Sequence, residues 1–356
     1  MISDIPGSTD LREFPYGIIE YEIDKTKLLG TGLWSDVYFA APSLPKATST
    51  TSPTEVPYNT ESILTPPLTP VKHRNSLSRS SAAALPPIPC AYAIKVPTSR
   101  QAKAVFEAEA RILSYLSSFP RAGDHIVPFF GLDTRNQAII MGALPQTLET
   151  FVTTELASLS EEGRTEKLAS IFPPLALYLI RGLEWLTEKG CVHADIKPGN
   201  ILLSDTVRPI YADFSSAIFL YEQPTSQGPL GGGTWDFLCP SLLRSAASAA
   251  GRLTPSTKTD LYSLAIALLY VIIGGSPFDS AGSNAFRRRE MAKSGNPLLW
   301  AFGGDEGWKS EKRIKELSKR VGWDVQQFLK MGLEKLEMRV EVGVWREELE
   351  GKTGGS

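Results

Sequence analysis

The chain has 356 residues, 42% of them hydrophobic and 21% charged, and a formal net charge of −2 at pH 7. Its length suits one bilobal domain or two ordinary cores, ample for an enzyme, and the near-neutral charge, with short basic clusters only at residues 72–79 and 287–289, argues against a nucleic-acid partner. The three cysteines are widely spaced, no charged and apolar leader opens the chain, and the longest apolar run, residues 261–273, is shorter than the roughly 20 residues a bilayer requires. A cytoplasmic or nuclear protein without a membrane segment is therefore expected.

In chain order, residues 1–15 read as a tail. Residues 16–41 alternate and carry Gly30 and Gly32, which predicts two strands joined by a turn. Such glycines let backbone N–H groups approach an anion closely, although the same pair also serves an ordinary hairpin. Residues 42–90 are about half Pro, Ser and Thr and cannot repay their ordering entropy, so a disordered insertion is expected there. Its Ser/Thr-Pro pairs and "RNSLSRSS" offer phosphorylation or docking sites, with a plain linker as the alternative.

The next strand, "AYAIKV", places Ala91, Ala93 and Lys95 on one face, so that Lys95 stands beside two alanines small enough to admit a flat ring. In the helix expected over 101–116, Glu109 falls on the apolar stripe of Val105, Ile112, Leu113 and Leu116, while Glu107 does not. Glu109 is therefore the candidate partner for Lys95. Strands within "HIVPFFGL" and "QAIIM" complete a sheet-rich unit ending at residue 141. Helical periods dominate 142–350, with loop signals at 190–199 and 228–233, before a flexible tail at 351–356.

The densest chemistry lies in "CVHADIKPGNILLSD" and "IYADFSSA". Asp195 can accept a proton from a hydroxyl, Asn200 and Asp213 offer hard oxygens to Mg²⁺, and Lys197 can stabilise a transferring phosphoryl group. His193 is read as a packed, hydrogen-bonded core residue and not as a base.

On these residues the chain from about Leu28 to Glu350, insertion apart, resembles a eukaryotic-type protein kinase of the serine/threonine class. "GTGLWSDV" resembles the glycine-rich loop, "AIK" the phosphate-pairing lysine, "EARIL" the helix glutamate, "HADIKPGN" the catalytic loop and "DFS" the magnesium motif. "GTWDFLCPS" resembles the end of the activation segment, and "TDLYSLAIALLYVIIGGSPF" the buried central helix, with Asp260 as anchor of the catalytic loop.

The resemblance implies an α+β bilobal fold: an antiparallel-sheet N-lobe with one helix over 16–141 and a mainly helical C-lobe over 142–350. It implies ATP and Mg²⁺ as cofactors and a protein with a Ser/Thr acceptor as partner. Gly30, Gly32 and Lys95, paired with Glu109, would serve the phosphates, and Asp213 and Asn200 the metal. Val37, Ala93 and Leu202 would sandwich adenine, with Met141 behind it and the Gly142 and Leu144 backbone bonding its edge. Thr234 would bond Asp195 and Lys197.

Four residues depart from the family pattern: Ser35 for the third loop glycine, Ala194 for an arginine, Ser215 for a glycine, and Ser241 for a glutamate expected to pair with Arg339. Gly199 and Tyr270, where arginine-directed members carry acids, imply no strong demand for an upstream arginine. Ala194 cannot grip a loop phosphate, which implies competence without phosphorylation at Thr225 or Ser226. A nucleotide-binding pseudokinase or scaffold, and a small-molecule kinase of the aminoglycoside or choline type, remain the alternatives. An insertion between the second and third strands lies outside the cleft in this fold and costs little, because closure entropy grows only logarithmically with loop length.

Overall fold

Alternation in the chain up to residue 142 closes into one antiparallel sheet of order β1-β2-β3-β5-β4, in the computed structural model, which describes residues 10–44, 88–220, 233–245 and 253–354. Most of the expected insertion, with its phosphorylation and docking candidates, and Thr225 and Ser226 lie outside the described residues. The strands are β1 (Glu20–Thr31), β2 (Ser35–Ser43), β3 (Tyr92–Pro97), β4 (Phe129–Asp133) and β5 (Ala138–Gly142). Both faces of β3 are buried. Tyr92 and Ile94 pack with Phe14, Ile19, Ala40 and Ile140, while Ala93 joins the main core with Ile139 and Met141. Helix α1 (Lys103–Ser117) buries Phe106, Ile112, Leu113 and Leu116 toward that main core, and Val105 is buried as well.

Several expected boundaries shift. Residues 10–15 are not a loose tail: Glu13 bridges Leu132, the Phe14 amide donates to Leu132 O at 2.9 Å, and Phe14 is buried. The reason is the edge of β4, whose open backbone groups this segment satisfies. Strand β2 runs through Ser43, past the expected start of the insertion at residue 42. Its pairing with β3 ends at Ala40–Tyr92, so Pro42 lies where β2 has become an edge and its missing donor costs nothing. The strand read within "HIVPFFGL" begins only at Phe129, because Ile126 and the Val127 amide pair with Tyr211 instead. At the other end the last helix continues to Thr353 and buries Leu349, so the expected tail is shorter.

The second lobe is helical. It contains α2 (Leu148–Thr150), α3 (Glu161–Glu188), α4 (Pro240–Ser245), α5 (Thr257–Ile273), α6 (Ala285–Ser294), α7 (Pro297–Phe302), α8 (Gly307–Val321), α9 (Val325–Leu333) and α10 (Val342–Thr353). Helix α5 is its axis, buried on every side from Thr259 to Ile273. A Ser256/Thr259 capping box starts it and Gly274, at φ 90°, ends it. Arg164 of α3 and Arg313 of α8 donate to the carbonyls of Val271, Ile272 and Ile273, which places two cations at the negative end of the helix dipole. Burial, helped by Arg313, pushes the Arg164 guanidinium down to about 10. No helix among the described residues is long and apolar enough to cross a membrane.

Short strands carry the chemical loops between the lobes. β6 (Gln146–Thr147), β8 (Ile201–Leu203) and β9 (Pro209–Tyr211) form one small sheet, and β7 (Cys191–Val192) pairs with β10 (Ile218–Phe219). Catalytic-loop and metal-loop candidates therefore emerge from one hairpin, with β8 and β9 in fixed antiparallel register.

Candidate active site

A cleft cavity of about 350 Å³ is lined from above by Gly30, Gly32, Val37, Ala93 and Lys95 and from below by Asn200, Leu202 and Asp213. Met141, Gly142 and Leu144 complete it along the segment joining the lobes. The turn between β1 and β2 is closed by the Gly32 amide on Ser35 O at 2.7 Å, and space beside Gly30 is open. Gly142 donates to Pro128 O at 2.8 Å and Ala143 to Ala91 O at 3.2 Å. The Leu144 amide has no backbone partner among the described residues. Val127, Gln146 and Thr150 also line the cavity and were missed in the sequence, where no pattern separates them from ordinary core or cap residues.

Lys95 makes three bonds from one ammonium: to Glu109 Oε1 (2.9 Å), Glu109 Oε2 (2.7 Å) and Asp213 Oδ1 (2.8 Å). Lys95 is 4% exposed and Glu109 1%, so the pair is dry, whereas the Asp213 side chain is 37% exposed toward the cleft. Burial alone would push the lysine down; the Asp213 and Glu109 carboxylates outweigh it and hold it above its usual range. Asp213 answers in the opposite sense. Desolvation by the surrounding protein is overcome by Lys95, with help from the Ser215 side chain, and the carboxyl is held well below the ordinary carboxylate range.

Asp195 is oriented by three donors. Thr234 N–H reaches Oδ1 at 2.8 Å, while Lys197 Nζ (2.9 Å) and Asn200 Nδ2 (3.0 Å) share Oδ2. Lys197 also donates to Thr234 Oγ1 at 2.7 Å, so the segment after residue 233 is bolted to the loop. His193 is fully buried; its Nε2 lies 3.0 Å from Ala212 O and its Nδ1 accepts from Asp195 N–H at 3.4 Å. That pattern places the proton on Nε2, and burial holds the imidazole below its usual pKa.

The backbone here is strained and externally held. Ala194 and Asp213 both adopt left-handed conformations, at φ 62° and 60°, each costing about 1–2 kcal/mol for a residue with a side chain. Asp260, 1% exposed at the start of α5, accepts the His193 amide at 2.6 Å and the Ala194 amide at 2.9 Å, which outweighs the strain at Ala194. Burial drives its carboxyl up to about 7 against the pull of those amides.

The donor set suits Mg²⁺. Asn200 spends its Nδ2 on Asp195, leaving Oδ1, and Asp213 spends Oδ1 on Lys95, leaving Oδ2; two hard oxygens thus line the cleft where phosphate oxygens could complete the shell. Among the described residues no cluster of three or more His, Cys, Asp or Glu forms a self-sufficient metal cage.

With serine at 241 the ion pair of the family pattern is missing, and Arg339 needs other partners. Arg339 instead donates to the carbonyls of Glu334 (3.2 and 2.7 Å) and Lys258.

The family model for the protein kinase domain matches residues 89–336. β1 and β2 with Gly30 and Gly32 lie outside that match. The chain is 24% identical over 179 residues to mitogen-activated protein kinase kinase kinase 17 of Arabidopsis thaliana, covering 50% of this chain and 44% of that protein. It is 36% identical over 87 residues to serine/threonine-protein kinase Genghis Khan of Drosophila melanogaster, covering 24% of this chain and 5% of that one. With the L-type lectin-domain containing receptor kinase VI.2 of Arabidopsis thaliana it shares 30% identity over 193 residues, 52% of this chain and 26% of the relative. The matched region thus spans less than half of each of these relatives.

Proposed function

Because the chain belongs to the protein kinase family, we propose that it is a serine/threonine kinase transferring the γ-phosphate of MgATP to a protein hydroxyl. The carrying observation is Asp195, fixed by Thr234, Lys197 and Asn200 at the cleft that also holds the Lys95–Glu109–Asp213 cluster. In this reading Val37, Ala93 and Leu202 take the adenine, with Met141 behind it and the Gly142 and Leu144 backbone at its edge. The turn at Gly30 and Gly32 covers the phosphates, and Lys95, steered by Glu109, contacts them.

Asn200 and Asp213 would hold Mg²⁺, which when bound neutralises phosphate charge. Asp195 orients the Ser or Thr hydroxyl and accepts its proton as the oxygen bonds to the γ-phosphorus and ADP departs. Lys197 lies beside Asp195 to stabilise charge on the moving phosphoryl group. Serine/threonine direction is supported by Lys197 in "DIKPGN" and by the names of the relatives.

The test is Asp195→Asn, assayed with γ-labelled ATP and a generic protein substrate, beside a nucleotide-binding measurement. Loss of transfer with ATP binding retained is expected; near-normal turnover would sink the assignment. Wild-type protein that binds nucleotide without transfer would be a scaffold instead, and transfer only to a small hydroxyl compound would mean a small-molecule kinase.

A further inference from the structure

A second cavity, of about 440 Å³, shares no lining residue with the cleft. It is bounded by the start of α4, by Tyr262 of α5, by residues 294–299 and by the end of α9 with the segment after it. Two independent defects line it. Arg339 is 3% exposed and forms no ion pair with any described carboxylate. Its remaining donors, one on each Nη, reach only the Cys239 sulfur at 3.6 Å, a weak acceptor. Tyr262 is 1% exposed, lies beneath the Arg339 guanidinium at 4.9 Å, and its hydroxyl has no hydrogen-bond partner.

A buried cation without an anion and a buried hydroxyl without an acceptor are each unfavourable, and one group remedies both. That group is a carboxylate, which accepts from a guanidinium fork and from a phenol together. Arg244, Lys330 and Lys335 line the cavity beside Glu334 and Glu337, so with Arg339 its walls carry more positive than negative charge and suit an anion. Leu298 and Leu299, the latter 63% exposed, supply an apolar wall.

We propose that this cavity binds a carboxylate carried on a short apolar body, its charge held by Arg339 and Tyr262 and its apolar part lying along Leu298 and Leu299. The site stands whether or not the chain transfers phosphate. Such a carboxylate comes either from a free acid or from the C-terminus of a polypeptide ending in an apolar residue.

The test is calorimetric titration and thermal melting of the full chain with hexanoate, hexanamide, and a short peptide ending in leucine as free acid or amide. Saturable binding by a free acid and none by its amide is expected. Hexanoate binding alone assigns a small-molecule source, and peptide binding at least tenfold tighter assigns a polypeptide one. Tyr262→Phe removes only an unpartnered hydroxyl, so it should stay folded and weaken binding about tenfold, about 1.4 kcal/mol. Ser241 lines the same cavity, so Ser241→Glu supplies a carboxylate internally; it should raise the melting midpoint and abolish ligand binding. Absence of binding by either acid, equal binding by the amides, or affinity unchanged in both variants overturns the proposal.

Discussion

Replacing Thr234 by alanine separates two contacts that this residue makes with the catalytic loop. The hydroxyl accepts from Lys197 Nζ at 2.7 Å, and the backbone amide donates to Asp195 Oδ1 at 2.8 Å. Alanine removes the first and keeps the second. A hydrogen bond to a charged group contributes about 1.5–3 kcal/mol. The Lys197 side chain is 27% exposed, so water replaces part of the lost bond and the lower end, about 1.5 kcal/mol, applies. If Lys197 acts on the transferring group, kcat falls about tenfold. The KM for ATP should stay near wild type, because Thr234 does not line the cleft cavity proposed to take the nucleotide. Thr234→Ser restores the hydroxyl and should stay within about threefold of wild type. Steady-state kinetics against ATP and a protein substrate, with melting curves to exclude unfolding, read this out. An alanine variant within about twofold of wild type, or a serine variant as impaired as alanine, would refute the link between Lys197 and the reaction.

Two further outcomes concern stability. A Cβ on Gly332 of α9 would lie 2.7 Å from the Cβ of Ala265 and 3.1 Å from Leu261 Cδ2, so in Gly332→Ala overpacking of about 1–3 kcal/mol should exceed the helix-propensity gain of about 1. Urea unfolding should show net destabilisation, with favourable coupling to Ala265→Gly in a double-mutant cycle; a more stable single variant contradicts the packing. Asp133 is fully buried, which works to raise its pKa, but hydrogen bonds from Arg135 and Tyr21 prevail and hold it below the usual range. Because the folded value is depressed, this stabilisation is complete above about pH 4 and is lost as pH falls further. Asp133→Asn should therefore be less stable at pH 7 and show a shallower loss in urea midpoint between about pH 4 and pH 2.5 than wild type; parallel acid slopes would exclude the assignment.

Part of this molecule is legible without coordinates because it depends on local periodicity. The stripe that selects Glu109 over Glu107 is a property of 3.6 residues per turn, and in the structure Glu109 meets Lys95 while Glu107 lies on the surface near Lys103 at 3.8 Å. Alternation in "AYAIKV" likewise sets Ala93 and Lys95 on the cleft side. The spacing of Asp195, Lys197 and Asn200 already places all three in one short loop, which the structure folds so that Lys197 and Asn200 share Asp195 Oδ2.

Other features arise only when distant segments meet. Nothing near residue 194 announces a left-handed alanine; it is held by Asp260, 66 positions along the chain. Nothing in residues 10–15 announces that they pair with Leu132, since the open edge they cover is created by β4 folding elsewhere. The serine at 241 states that an anion is missing, but the carbonyls that replace it at Arg339, and the cavity beside Tyr262, come from four separate stretches of chain. Backbone period and side-chain type travel with the sequence, so the helices, strands and reactive clusters can be read from it. Strain, edge pairing and voids are sums over contacts between residues far apart, and only the packed tertiary structure decides them.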